Sequence, residues 1–370
     1  MMDQEELIAQ LNLALLPGVG AGLVRTLFTA FGSASAILRE KRKSLEKIPG
    51  IGTMTAKQIC RNGFRQRAEE EIRFMQKEKI TPLFLMDDKY PDRLKQCPDA
   101  PVILFYKGRL EYPGYRWISF IGTRKPSSRG VASVRKIISS LAKYHRLVVV
   151  SGLAYGIDIQ AHRSALEAGL PTVAVLGHGF HTLYPAIHRS VAREIMDQGA
   201  LVTDFFSHNT MDPKNFIKRN RIIAGLSEGV LIAESGLKGG ATTTAEMANS
   251  YNRDVFAIPG RSSDEQSKGC NWLIRTNQAT LVESAEDLEY FLGLDRKSKN
   301  TEELQKKMFN LMDREEKEIW DLLENHKLSI DELARQVSCP YQRLSTLLIQ
   351  MEFKGFLRVM PGKQYHRSDQ

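Results

Sequence analysis

Between residues 117 and 292, short apolar runs alternate with helical patterns. The runs are Trp117–Ile121, Leu147–Val150, Thr172–Leu176, Ala200–Thr203, Val230–Ala233, Val255–Ile258 and Thr280–Val282. Most are β-branched at successive positions, so both pleat faces are apolar, as in strands covered on two sides. Between them, Gly130–Tyr144, Ile157–Ala168 and Thr243–Asn252 carry apolar residues at helical spacing. The alternation predicts an α/β fold with a Rossmann-like, doubly wound, mostly parallel sheet.

The flanks read differently. Residues 1–80 are helical in period and hold a near-repeat, Leu16-Pro-Gly-Val-Gly20 and Ile48-Pro-Gly-Ile-Gly52, each followed by an amphipathic helix. Such a turn is the helix-hairpin-helix signature, in which glycines let two helices meet and free backbone N–H groups to face a phosphate. The pattern also occurs where the turn only packs helices, so DNA contact and scaffold both stand open. Thr81–Gly114, rich in Pro and Asp, opens a bridging segment (81–116) to the α/β domain, taken as 81–295. Residues 296–306 are polar without apolar period and predict a linker. In 307–370, helices from Asp313 to Glu324, from Ser329 (an N-cap with Glu332 three residues on) and from Pro340 to Glu352 precede an expected hairpin. That hairpin is Phe356–Met360, Pro361-Gly362 and Gln364–Arg367, and the whole is the order of a winged helix.

Composition narrows the setting. The net charge is +9, but the surpluses of +4, +3 and +2 in residues 1–80, 81–295 and 296–370 leave no strongly basic tail. Affinity for a polyanion must then come from local geometry. Four dispersed cysteines, without a CxxC pair, predict reduced and mostly buried thiols in a cytoplasmic protein. No signal-peptide pattern or apolar run of membrane-spanning length is present, and no membrane association is expected.

Ligands of an open parallel sheet bind beyond the carboxyl ends of its strands. The segments following these strands are Gly122-Thr-Arg124-Lys-Pro-Ser-Ser128, Ser151-Gly-Leu-Ala-Tyr-Gly-Ile-Asp158, Gly177-His-Gly179, Glu234-Ser-Gly-Leu-Lys-Gly239-Gly-Ala-Thr-Thr-Thr244 and Pro259-Gly260. Gly admits a phosphate close to the backbone, Ser and Thr donate to it, and each following helix offers its positive end. So many loops of this kind predict an extended phosphate-binding edge. Asp212-Pro-Lys214-Asn-Phe216-Ile-Lys218-Arg219-Asn220-Arg221 adds four cations and one aromatic. That combination neutralises a backbone while the ring stacks on a base.

Other chemistries lack their signatures. No GxGxxG follows the first strand and no GxxxxGK[ST] occurs, against a dinucleotide enzyme or a P-loop NTPase. His178, His181 and His188 match no metal template and read as turn or packing residues. Asp158 reads as a loop tie or helix cap, and Ser151 has no GxSxG context. No cofactor, metal or catalytic residue is assigned.

Taken together, these residues resemble the DNA-processing protein A family (DprA, also called Smf). The resemblance is carried by Gly122-Thr-Arg124, Pro126-Ser127, Ser151–Asp158 with Ala161-His162, and Ala174–Gly177 with Tyr184-Pro185. It continues with Arg219–Leu226, Thr242–Ala245, Val255–Gly260 and Gly269-Cys-Asn271, in order from about Tyr90 to Leu292. It implies a homodimeric, non-enzymatic binder of single-stranded DNA that protects incoming strands and loads RecA during natural transformation and recombination. The residues it implies are Gly122, Arg124 as phosphate clamp, Ser151 and Gly152 as loop donors, and Lys214 for added charge. Phe216 is expected to stack, Arg219, Asn220 and Arg221 to form a basic wall, and Lys238, Gly240, Thr242 and Thr243 to complete the last loop.

The chain departs from the family pattern at His181 (usually Asp), at His188 (usually Asn) and at Leu237–Gly240, where Lys238 adds a cation. Two rivals carry weight. Gly239–Glu246 loosely resembles the loop of lysine-decarboxylase-like nucleotide phosphoribohydrolases, with Ala241 in place of a Gly. A duplex-DNA regulator acting through the winged helix is the other, although Tyr341, Gln342, Arg343, Ser345 and Gln350 include a single cation.

Overall fold

The seven apolar runs emerge as strands: those inside the sheet find an apolar layer on each side, while the edge run at Thr280–Leu281 is exposed. In the strand Leu147–Ser151, Leu147 and Val149 enter one core cluster, Val148 and Val150 the other. The computed structural model describes residues 4–143, 146–294, 313–323, 328–337, 339–354, 356–360 and 364–367. The chain forms two compact units, Met1–Arg296 and Lys297–Gln370.

The first unit begins with six helices: α1 (Gln4–Leu15), α2 (Ala21–Phe31), α3 (Ala34–Arg39), α4 (Arg42–Leu45), α5 (Thr53–Arg61) and α6 (Arg65–Glu78). Strand β1 (Thr81–Phe84), helix α7 (Asp92–Lys95) and β2 (Ile103–Gly108) come next, then β3 (Arg116–Ile121), α8 (Ser128–Ala142), β4 (Leu147–Ser151) and α9 (Ile157–Glu167). They are followed by β5 (Thr172–Val175), α10 (Arg189–Gln198), β6 (Ala200–Thr203), α11 (Pro213–Leu226), β7 (Gly229–Ile232) and α12 (Gly240–Ser250). The unit closes with β8 (Asp254–Ala257), α13 (Lys268–Arg275), β9 (Thr280–Leu281) and α14 (Ala285–Leu292).

The nine strands form one sheet in the order β1-β2-β6-β5-β4-β3-β7-β8-β9. Pairs from β6 to β9 are parallel, while β1-β2 and β2-β6 are antiparallel. The bridging segment therefore supplies two strands that its Pro- and Asp-rich sequence does not announce. Helices α8, α9 and α14 bury Val134, Ile138, Ala161 and Leu288 on one face of the sheet. The other face is covered by α11, α12 and α13, in a cluster that runs on into α1–α5 through Leu13, Val24, Leu27 and Ile59. Residues 1–80 thus share a core with the sheet.

Both Pro-Gly turns fold alike. Gly18 and Gly50 take φ of +80° and +86°, a region favourable only to glycine, and Val19 and Ile51 turn inward. The chain order reverses beside β3: β4, β5 and β6 lie to one side and β7 to the other. A crevice at the carboxyl ends of β3 and β7 is the geometric consequence.

The second unit carries the expected helices at Arg314–Leu322, Ile330–Ala334 and Tyr341–Phe353. Asp313 with Glu316 and Ser329 with Glu332 are reciprocal capping boxes. Leu357–Met360 and Gln364–Arg367 pair antiparallel, and Leu328–Ser329 adds a third strand. The linker expected at 296–306 and the Pro361-Gly362 turn lie outside the described residues. All four cysteines are free; Cys97 and Cys270 are buried and Cys60 is exposed, so burial is less general than composition predicts. Among the described residues no helix is long and apolar enough to cross a membrane.

Candidate nucleic-acid interface at the switch point

A cleft of about 1000 Å³ opens where the chain order reverses. Gly122–Lys125 after β3 form one wall, Ser235–Thr244 after β7 the opposite one, and Pro213, Phe216, Ile217 and Asn220 of α11 the third. The two strand-end loops are tied by Glu234. Its carboxylate is buried, accepts the Ser127 N–H at 2.8 Å and the Ser127 hydroxyl, and sits at the start of α8. The Thr123 N–H donates to the Glu234 carbonyl at 2.7 Å. Sequence reasoning passed over Glu234, since a lone acid in a Gly-rich loop carries no periodic signal.

Nine expected residues line this cleft: Gly122, Arg124, Phe216, Arg219, Asn220, Lys238, Gly240, Thr242 and Thr243. Arg124 and Lys238 are exposed, as are Lys125, Lys214 and Lys218, which stand on the same loop and helix. The Arg124 guanidinium lies 6.0 Å from the centroid of the half-buried Phe216 ring. Tyr184, itself 40% exposed, packs on Phe216 at 5.7 Å between centroids. Helix α11 is started by Asp212, whose carboxylate accepts the Lys214 N–H at 2.8 Å, with Pro213 in the first turn. The free positive end of α12 faces the cleft from Gly239 and Gly240, and the buried Thr242 hydroxyl donates to the Gly239 carbonyl at 2.6 Å.

Four expected residues hold other positions. Ser151 is fully buried and its hydroxyl donates to the Phe120 carbonyl at 2.6 Å, while the Gly152 N–H donates to Asp158 at 3.1 Å. Neither donor is left for a ligand, so both build the β4–α9 loop from beneath. Arg221 bonds the Asp204 carboxylate and the Asp99 carbonyl, away from the cleft. Lys214 stands exposed on the first turn of α11, outside the lining.

Arg219 reaches the lining but is only 4% exposed. Its guanidinium donates to the Val175 carbonyl, and burial pulls its pKa down to about 10, opposed by Asp158. Burial pushes the Asp158 carboxyl upward, opposed by Arg219 and by the N–H groups of Ala154 and Gly152. A basic wall of Arg219 and Arg221 is therefore corrected to one buried support and one ion pair, with the exposed charge of the lining supplied by Arg124, Lys125 and Lys238.

His178 and His188 are structural, while His181 is exposed. His178 bonds the Gly179 carbonyl at 3.0 Å and accepts the Tyr184 N–H at 3.1 Å, which positions Tyr184. His188, where the family pattern has Asn, meets the Leu153 carbonyl at 2.9 Å. Among the described residues no group of three metal-ligating side chains converges.

Fold and cleft define the class: a doubly wound α/β protein whose switch-point crevice is cationic, glycine-lined and floored by an aromatic ring. The profile described as DNA recombination-mediator protein A matches residues 81–293, the DprA winged helix domain 303–363, and a SAM-like helix-hairpin-helix tandem 11–62. The chain belongs to the DprA/Smf family of DNA-processing proteins.

DNA processing protein DprA of Streptococcus pneumoniae is 40% identical over 211 residues, 57% of this chain and 74% of that protein. Protein Smf of Synechocystis is 34% identical over 285 residues, 75% of this chain and 70% of its own. The X-ray structure of the S. pneumoniae protein superposes with a TM-score of 0.66 at 31% identity, covering 78% of this chain and 98% of that one. A DNA processing protein A structure from Helicobacter pylori, described for its single-stranded DNA binding mode, gives 0.52 at 26% identity over 58% and 95%.

Proposed function

We propose that this protein binds single-stranded DNA along the switch-point cleft and, as a homodimer, hands the strand to RecA during recombination and natural transformation. The observation that carries the reading is Arg124 over the Phe216 ring, in a cleft whose lining also holds the exposed Lys125 and Lys238. Cations that neutralise phosphates beside a ring that stacks on a base are the two parts of a single-strand site. The H. pylori relative, described by its single-stranded DNA binding, supports the same assignment. No catalytic step is assigned. Glu246, the acid of the phosphoribohydrolase reading, stands exposed on α12, and base release from nucleoside monophosphates is the assay that would revive that reading. In the winged helix, Arg343 is paired with Glu315 at 3.0 Å, which disfavours phosphate contact there.

The deciding measurement is a titration of labelled oligo-dT at several salt concentrations. Arg124→Ala combined with Lys238→Ala weakens binding and flattens its salt dependence; unchanged affinity overturns the assignment. Sedimentation and RecA filament formation on the bound strand test the dimer and the hand-over.

A further inference from the structure

The two Pro-Gly turns are near copies in sequence and opposites in the charge that flanks them. The first, Gly18–Leu23, faces Pro98–Ile103 across a cavity of about 600 Å³. Residues 11–31 hold one cation, Arg25, and it is spent on the carbonyls of Lys95 at 2.5 Å and Cys97 at 3.2 Å. That turn presents no exposed cation of its own.

The second turn differs in charge. A β-carbon added at Gly18, Gly20, Gly50 or Gly52 would meet nothing within 4 Å and all four glycines are exposed, so both turns are open and only their neighbours separate them. Residues 41–61 carry six cations against one carboxylate, and Lys41, Arg42, Lys43, Lys47, Lys57 and Arg61 are all exposed. Glu46 pairs with Arg42 at 2.7 Å, which leaves a surplus of five. The Cys60 thiol donates to the Glu40 carbonyl at 3.5 Å, so the chain at Lys41 runs beside the last turn of α5. Lys57 and Arg61 stand on that helix one turn apart, opposite the buried Ala56 and Ile59.

We propose that this α4–α5 face is a second DNA site, which docks the phosphate backbone of a duplex. Its charge matches a polyanion, and residues 41–61 contain no aromatic side chain to stack on an unpaired base, unlike the cleft. A surface that reads phosphates alone accepts paired strands. The site adds to the cleft reading and is tested separately from it.

The test uses the full chain with a short duplex and, in parallel, a short oligo-dT. Lys43→Gln with Lys47→Gln and Lys57→Gln weakens duplex binding and lowers the slope of log K against log salt by about 3, roughly 1 per lysine. Oligo-dT affinity stays as in the parent. Lys57→Gln alone lowers the slope by about 1 and guards against a folding defect in the triple variant. The cleft pair Arg124→Ala with Lys238→Ala shows the reverse pattern: oligo-dT weakened, duplex retained. An unchanged duplex slope in both lysine variants overturns the proposal. So does equal loss of duplex in the cleft pair, or duplex retained by the lysine variants while binding to anionic phosphatidylserine vesicles is lost.

Discussion

Arg219 lies against Gly152 so closely that a β-carbon on Gly152 would come within 2.0 Å of its guanidinium. The buried cation holds the β4–α9 loop through Val175 on one side and the Asp158 field on the other. Gly152→Ala should push the guanidinium off the Val175 carbonyl and cost about 1–3 kcal/mol, as overpacking does. Arg219→Met should cost more, about 3–5 kcal/mol, because it strands Asp158 as a buried acid without its counter-charge. Urea denaturation of both variants checks the order. If Arg219→Met proves the milder change, Arg219 is not the support described.

His162 sets a pH dependence of known sign. It is fully buried against the Thr172 hydroxyl at 2.7 Å, and burial pulls its pKa from 6.5 down to about 3. Between those values the unfolded chain binds a proton that the folded chain refuses. Its stabilising contribution is therefore full above pH 6.5 and drains as pH falls toward 3. The melting temperature of the parent should drop between about pH 7.5 and about pH 5, and His162→Gln should flatten that drop. Parallel curves for the two proteins would remove His162 from the account.

The sheet was legible because its parallel strands are apolar on both faces, a pattern that only a doubly covered sheet produces. Strands β1 and β2 were not. Pro82 and the neighbouring Pro and Asp residues read as loop, yet β1 is an edge strand, where a missing N–H is tolerated. In the cleft the Gly-rich loops could be read directly, since their chemistry is local. The fates of Arg219 and Arg221 could not. Arg219 is decided by Val175, 44 positions away, and Arg221 by Asp99, 122 positions away. Sequence shows that a cation is present, and only the fold shows what neutralises it.

Phe216 and Arg124 should fail in different ways on single-stranded DNA. The ring edge rests on Gly177, so Phe216→Leu keeps most of the packing and loses the stacking face. About 1–3 kcal/mol of binding should disappear, with the salt slope unchanged, because no phosphate contact is removed. Arg124→Ala should lower the slope by about 1. Oligo-dT titrations across salt separate the two, and a changed slope in Phe216→Leu would show that the ring acts only by holding Arg124.

Glu234 should act on DNA binding without touching DNA. The residue is only 5% exposed and its carboxylate is occupied by the Ser127 N–H and hydroxyl, which fixes the segment that carries Thr123, Arg124 and Lys125. Glu234→Gln keeps the volume but replaces two charge-assisted acceptors with a neutral amide, at about 1–3 kcal/mol of stability. The loosened loop should then hold Arg124 less well and weaken oligo-dT binding. A double-mutant cycle tells positioning from a general loss of fold. If Glu234 works through Arg124, Glu234→Gln should weaken binding in the parent and scarcely at all in Arg124→Ala. Losses that simply add would mean that the two residues serve the cleft independently.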